Sequence, residues 1–113
     1  MTRFFVSGTP VPKQSFKMGR NGGYTDTRVI TWQDIVAYEA KRHFTEPLTG
    51  DVNEVMVFTR PNRRRVDCEN LVKAVNDALN GIAFVDDSQV VHQDITKRFD
   101  RANPGVWIEI EEA

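Results

Sequence analysis

The apolar positions of the chain change period along its length, and each change marks an element. Phe4 to Val6 is a short aromatic and β-branched run that reads as a strand, and Pro10 and Pro12 end its pairing soon after. From Thr31 the period is helical. Trp32, Ile35, Val36, Ala40 and His43 or Phe44 share a face, and Thr31 stands three residues before Asp34 as in a capping box, so the first helix is predicted from Thr31 to Phe44. A turn at Pro47, Thr49 and Gly50 leads to Val52–Thr59, a strand that is apolar on both faces from Val55 to Phe58 and therefore buried within a sheet. Asp67 to Asn80 carries the clearest helical stripe, formed by Cys68, Leu71, Val72, Val75, Ala78 and Leu79. Asp67 is its N-cap candidate, Gly81 its stop, and Glu69, Asn70, Lys73, Asn76 and Asp77 share the opposite face. Phe84 and Val85 form a brief strand or the approach to one, ended by Asp86, Asp87, Ser88 and Gln89. Val90–Arg98 and Val106–Ile110 then read as two strands joined by a turn from Asp100 to Gly105, a terminal hairpin. The predicted order is β-α-β-α-β-β, an α/β (α+β) fold in which two helices pack on one mixed sheet.

Composition adds the class. With 113 residues, 40% hydrophobic and 27% charged, the chain reads as a single domain over 1–113 that buries about two-thirds of its unfolded surface, without disulfide or metal staples. Fifteen Lys and Arg against sixteen Asp and Glu leave a net charge of −1, so nucleic acid would be met through a local patch, not an overall basic surface. The lone Cys68, the lack of a signal-peptide-like apolar run after Met1 and the lack of an 18-residue apolar stretch together predict a cytoplasmic protein that does not span a membrane.

Candidate chemistry centres on four carboxylates. Asp67 and Glu69 open the second helix, and Asp86 and Asp87 end the segment after it. A helix of about 14 residues is about 21 Å long, so the two acidic pairs meet only if Gly81–Val85 turns the chain back along the helix. If they meet, their mutual repulsion calls for a hard divalent cation such as Mg²⁺, bound by carboxylate oxygens and substrate phosphate. The plainer reading makes Asp67 a cap, Glu69 and Lys73 an i, i+4 surface pair, and Asp86–Asp87 a turn. Arg63, Arg64 and Arg65 immediately before Asp67, with Lys97, Arg98 and Arg101 downstream, suit the approach of a polyanion, although the arginine run alone also fits a solvated turn. Lys13, Lys17 and Arg20, set among Gly19, Gly22 and Gly23, read as an exposed, mobile cationic loop over Lys13 to Thr27 that either contacts phosphate or merely connects strands. His43, His92 and Cys68 have no zinc-binding spacing, and no phosphate-loop motif is present.

The block Pro61-Asn62-Arg63-Arg64-Arg65-Val66-Asp67-Cys68-Glu69-Asn70-Leu71-Val72-Lys73, followed by Asp77-Ala78-Leu79-Asn80-Gly81 and Phe84-Val85-Asp86-Asp87-Ser88-Gln89-Val90, resembles the RusA-type Holliday-junction resolvases. Gly8-Thr9-Pro10-Val11-Pro12-Lys13 and the late Lys97 are similar as well, so the resemblance covers essentially the whole chain. It implies a small homodimeric endodeoxyribonuclease of bacteria and prophages that cuts four-way DNA junctions symmetrically in recombination and repair, with Mg²⁺ or Mn²⁺ and no nucleotide cofactor. By position, Asp67, Glu69 and Asp87 match its acidic positions, Asp86 stands beside them as a further ligand or outer acceptor, and Lys73 matches its lysine. Glu69 replaces the usual aspartate. Lys13, Lys17, Arg20, Arg63, Arg64, Arg65, Lys97 and Arg98 are the implied DNA contacts. A non-catalytic junction-binding protein of the same fold, and a metal-dependent nuclease for other branched DNA or RNA, are the competing readings.

Overall fold

The computed structural model describes residues 1–13 and 26–113 in full and the backbone pairing of 17–19 and 22–24. The elements are β1 (Thr2–Ser7), the short strands β2 (Lys17–Gly19) and β3 (Gly22–Tyr24), α1 (Thr27–Lys41), β4 (Val52–Arg60), α2 (Cys68–Leu79), a 3₁₀ turn at Asp87–Gln89, β5 (Val90–Phe99) and β6 (Gly105–Glu112). Both helices pack on one mixed sheet, as the hydrophobic pattern predicts, and β2 pairs with β3 as a separate small ribbon. No helix among the described residues is long and apolar enough to cross a membrane.

The sheet order is β1-β6-β4-β5, which corrects the expected terminal hairpin. β5 and β6 do not pair with each other. β4 lies between them, parallel to β5 and antiparallel to β6. The physical reason is the alternation within β4. Val52, Glu54, Met56 and Phe58 are fully buried on one face, while Val55 and Val57 keep the other face half-buried, so this strand gains most by taking the centre. β1 pairs with β6 so that Phe4 and Val6 join Val106, Ile108 and Ile110 under the helices.

α1 begins four residues before the expected start at Thr31. Val29 continues the buried stripe of Trp32, Val36 and Ala40, and Asp26 supplies the cap, its carboxylate accepting from the Arg28 N–H at 2.8 Å. Thr31 and Asp34 are both exposed within the helix. α1 lies over β1, α2 over β5, and the two helices pack on each other, tied by Gln33 Nε2 donating to the Ala74 carbonyl at 3.0 Å. α2 ends as expected. Gly81 adopts φ +82°, and a tight turn follows in which its N–H donates to the Phe84 carbonyl at 2.7 Å.

Candidate active site

The approach to α2 is held at several points. Arg60 ends β4 and donates from a terminal guanidinium nitrogen to the Arg64 carbonyl at 3.3 Å, and the Asp100 N–H donates to the Arg60 carbonyl at 2.9 Å. Burial and then the neighbouring Arg64 charge lower the pKa of Arg60. Asn62 Oδ1 accepts from the Arg64 N–H at 2.9 Å, Arg63 lies 4.5 Å over the Phe99 ring, and Lys97 Nζ donates to the Val66 carbonyl at 2.8 Å. The result is a braced loop whose three arginine side chains are exposed beside Asp67.

Asp67 occupies the N-cap position of α2, yet its carboxylate accepts no capping hydrogen bond. Glu69 is exposed in the first turn, where the helix N-terminus favours negative charge. Among the described residues Glu69 and Lys73 form no ion pair, so the i, i+4 surface pair of the plainer reading is not made. Lys13 is instead the partnered lysine. It pairs with Asp77, and its N–H donates to the Asn70 carbonyl at 2.9 Å, which docks the segment after β1 along α2. The Lys17 side chain and Arg20 lie outside the described residues, as does much of the expected cationic loop. Lys97 and Arg98, adjacent in β5, point to opposite faces of the sheet. Lys97 lies on the helical side, paired across from buried Phe58, and Arg98 lies on the other side with Thr59.

The aspartate doublet divides. Asp86 caps the 3₁₀ turn, accepting from the Ser88 N–H at 3.0 Å while Gln89 Oε1 accepts from the Asp86 N–H at 3.0 Å. Those hydrogen bonds from Ser88 lower the Asp86 pKa. Asp87 is half-buried and lines a cleft of about 280 Å³ with Asn76, Val90, Val91, His92 and Gln93. The chain after Gly81 therefore returns Asp87 to the second half of α2. Asn76 lies nine residues past Asp67, about 13 Å along the helix axis. Among the described residues no three acidic, histidine or cysteine side chains stand close enough together to hold a metal ion. The donors themselves suit a hard divalent cation, which takes one or two carboxylates and completes its shell with water and phosphate.

Beneath this cleft lies a group that the sequence reading missed. Glu54 is fully buried, and its Oε1 accepts from Asn76 Nδ2 at 3.1 Å and Gln93 Nε2 at 3.0 Å. Burial pushes its pKa up, the two hydrogen bonds oppose that shift, and the Asp87 charge reinforces it. Glu54 Oε2 and Asn76 Oδ1 are buried without a hydrogen-bond partner. The signal was available in the alternation, because Glu54 falls in the same period-2 register as Val52, Met56 and Phe58.

Comparison with known proteins sets this geometry in a family. The family described as Endodeoxyribonuclease RusA matches residues 7–111. A crossover junction endodeoxyribonuclease RusA from Aquifex aeolicus is 24% identical over 110 residues, covering 94% of this chain and 87% of the relative. An uncharacterized protein, YqaN, from Bacillus subtilis is 29% identical over 136 residues, covering 97% of this chain and 95% of that one. The match running from the end of β1 to the last strand, through the arginine loop, α2 and the aspartate doublet, means that the chain belongs to the RusA endodeoxyribonuclease family.

Proposed function

We propose that this protein resolves four-way DNA junctions by paired, metal-dependent phosphodiester hydrolysis, acting as a homodimer in the cytoplasm during recombination and repair. The observation that carries the reading is Asp67, a helix-capping residue whose carboxylate makes no capping bond and stands with Glu69 beside three exposed arginines. The Aquifex relative's description as a crossover junction endodeoxyribonuclease supports the same substrate.

In this reading Asp67 and Glu69 would hold a Mg²⁺ ion, or Mn²⁺ in its place, together with the substrate phosphate, and Asp87, which lies beside Asn76 and apart from that pair in this structure, would have to move toward them to complete the shell. Bound there, such an ion would supply charge stabilisation at the reacting phosphate. Asp86, engaged as a cap, acts in the outer shell. Lys73, exposed one turn from Glu69, offsets charge on the phosphate oxygens. Arg63, Arg64 and Arg65 grip phosphates on either side of the cut, while Lys13 and Lys97 hold the polypeptide that frames α2, through Asp77 and the Val66 carbonyl respectively. The remaining cations, Lys17, Arg20 and Arg98, extend the DNA contacts. Two symmetric cuts need two sites, which a two-fold dimer provides.

The test is a labelled synthetic four-way junction incubated with and without Mg²⁺, with cuts mapped on all four strands. Wild type should nick opposed strands only with the metal, and Asp67→Asn and Asp87→Asn should bind the junction without cutting. Either variant cutting at the wild-type rate refutes the assignment. Junction binding without nicking in any divalent ion would make the protein a non-catalytic junction binder, and preferential cutting of other branched DNA or RNA would change the substrate.

A further inference from the structure

The helices cover one face of the four-stranded sheet, and the other face holds a pocket at its Arg98 end. The floor of this pocket is aromatic and apolar. Phe5, Trp107 and Val57 stand side by side in register across β1, β6 and β4, with the Phe5 and Trp107 rings 5.2 Å apart. The Phe5 ring lies over Gly105, where a Cβ would come within 2.3 Å of it, and Trp107 is 47% exposed beside it. With Thr59, Arg98 and Asn103 these residues line a space of about 490 Å³.

The charges around the pocket are uneven. Arg98 and, in the turn beyond it, Arg101 are exposed, and among the described residues neither has an ion-pair partner. Asp100, the acid on this rim, is held within the turn, its Oδ1 accepting from the Ala102 N–H at 2.9 Å. The Asp100 N–H donates to the Arg60 carbonyl, so the turn is tied to the strand end that leads into exposed Arg63, Arg64 and Arg65. Acids return only farther along the face, at Glu109, which is paired with Arg3, and at Asp94. Asp94 lies four residues from Arg98, about 13 Å along β5. A phosphodiester strand is therefore attracted over the arginine rim and opposed beyond the Trp107 row.

We propose that this pocket takes an unpaired base of a DNA strand crossing the arginine rim, the base stacking on Trp107 and its phosphate meeting Arg98. The proposal rests on branched DNA being the substrate and adds a contact that the paired arms of such a substrate do not offer. Every base has a π face, and the exposed indole over an apolar floor accepts it without regard to sequence. The Thr59 hydroxyl and the Asn103 amide both donate and accept, so they meet a polar base edge without dictating which base it is. A base inside a duplex must first unstack and unpair, whereas one already unpaired is spared that cost. The pocket thus favours branch points and strand ends over continuous duplex. Asp67 lies on the helical side of the same end of the sheet, after the loop that Lys97 braces. A strand held at Trp107 passes round that end toward it.

Tryptophan emission of the full chain tests this, since the other tryptophan, Trp32, is only 2% exposed. A short oligothymidylate should quench Trp107 at concentrations where a blunt duplex of the same length, or thymidine monophosphate, does not. By anisotropy of the labelled strand, Trp107→Ala should weaken binding roughly tenfold, and Trp107→Phe, which keeps a ring, should recover most of the loss. Arg98→Gln should lower the slope of log binding constant against log salt by roughly 0.7, a slope that Trp107→Ala leaves unchanged. Circular dichroism verifies that each variant is folded. Emission indifferent to the strand overturns the proposal, as do equal quenching by duplex, a Trp107→Ala variant that binds like wild type, a phenylalanine variant no better than alanine, or an unchanged slope in Arg98→Gln. Quenching by the mononucleotide alone makes this a free-nucleotide pocket, and emission that shifts with protein concentration without DNA means that a second copy covers the face; either result overturns it. These readouts are independent of cutting. A protein that shows them and nicks no junction loses the nuclease reading and keeps the pocket, and one that nicks without them does the reverse.

Discussion

Replacing Glu54 by glutamine should stabilise the protein at neutral and alkaline pH and change little in acid. Glu54 Oε1 already accepts from Asn76 and Gln93, while Oε2 and Asn76 Oδ1 are buried without a partner. A proton on Oε2 would make it a donor, for which Asn76 Oδ1, on the amide that already donates to Oε1, is the expected acceptor, and glutamine would supply a donor at every pH. An unsatisfied buried polar group costs about 1–3 kcal/mol, so Glu54→Gln should gain about that much once wild-type Glu54 is ionised, or roughly 4–12 °C in Tm for a chain of this length. The folded carboxyl holds its proton to a higher pH than the unfolded chain, whose value is about 4.5. The folded state therefore binds more protons between those two values, and wild-type stability, fully present below about 4.5, falls as pH rises through the folded pKa. Urea unfolding of both proteins from below that value to mildly alkaline pH should show curves that coincide in acid and separate upward. Every other carboxylate is common to both, so the difference isolates Glu54. Parallel curves, or a wild type that gains on the variant as pH rises, would refute the reasoning.

Gly105→Ala should destabilise by about 3 kcal/mol in urea unfolding, because a Cβ there would lie 2.5 Å from the Val6 carbonyl oxygen as well as on the Phe5 ring, and β1 would have to move; a loss below about 0.5 kcal/mol would contradict the register. Lys97→Met removes the charged donor to the Val66 carbonyl and should cost about 1–2 kcal/mol, with amide hydrogen exchange accelerating across 62–67 while α1 is unaffected; unchanged exchange there would mean that Lys97 does not brace the loop. Arg64→Ala and Arg65→Ala should each flatten the dependence of log binding constant on log salt by roughly 0.9 for a duplex arm, and an unchanged slope would remove that residue from the phosphate contacts.

α2 was legible in the sequence because all its signals are local: the apolar stripe, the acid at its start and the glycine after its end. α1 was legible in type but not in bounds. Thr31 and Asp34 satisfy a capping pattern, and only the burial of Val29 shows that the stripe starts earlier. The β5–β6 hairpin failed for a different reason. The turn chemistry from Asp100 to Gly105 permits a hairpin, but β4 competes for both strands and wins by its two-sided apolar character, which is a comparison between distant segments. Glu54 was hidden similarly, since its hydrogen-bond partners lie 22 and 39 residues away and nothing local says that a charge can be satisfied there. Asp86 and Asp87 could not be separated by type. They differ by how the chain leaves Gly81, which turns one into a cap and the other toward Asn76.

Among the described residues three aspartates stand at helix starts, and their contrast bears on the site. Asp26 accepts from the Arg28 N–H and Asp86 from the Ser88 N–H, each doing the structural work that an aspartate does in that position. Asp67, at the start of the shorter but more deeply packed α2, makes no such bond. Capping is worth about 1 kcal/mol, so leaving it unused is a real cost on a helix that could have taken it. The packing of Leu71, Val75 and Leu79, all fully buried, stabilises α2 without the cap. The braced loop of Arg63–Val66 holds the chain in place up to the helix, so Asp67 is not needed to define where α2 begins. What the residue retains is an exposed, accessible carboxylate beside three exposed arginines at a helix N-terminus. That combination suits a group meeting a ligand from solution, and it is the physical ground for placing the chemistry at this end of α2.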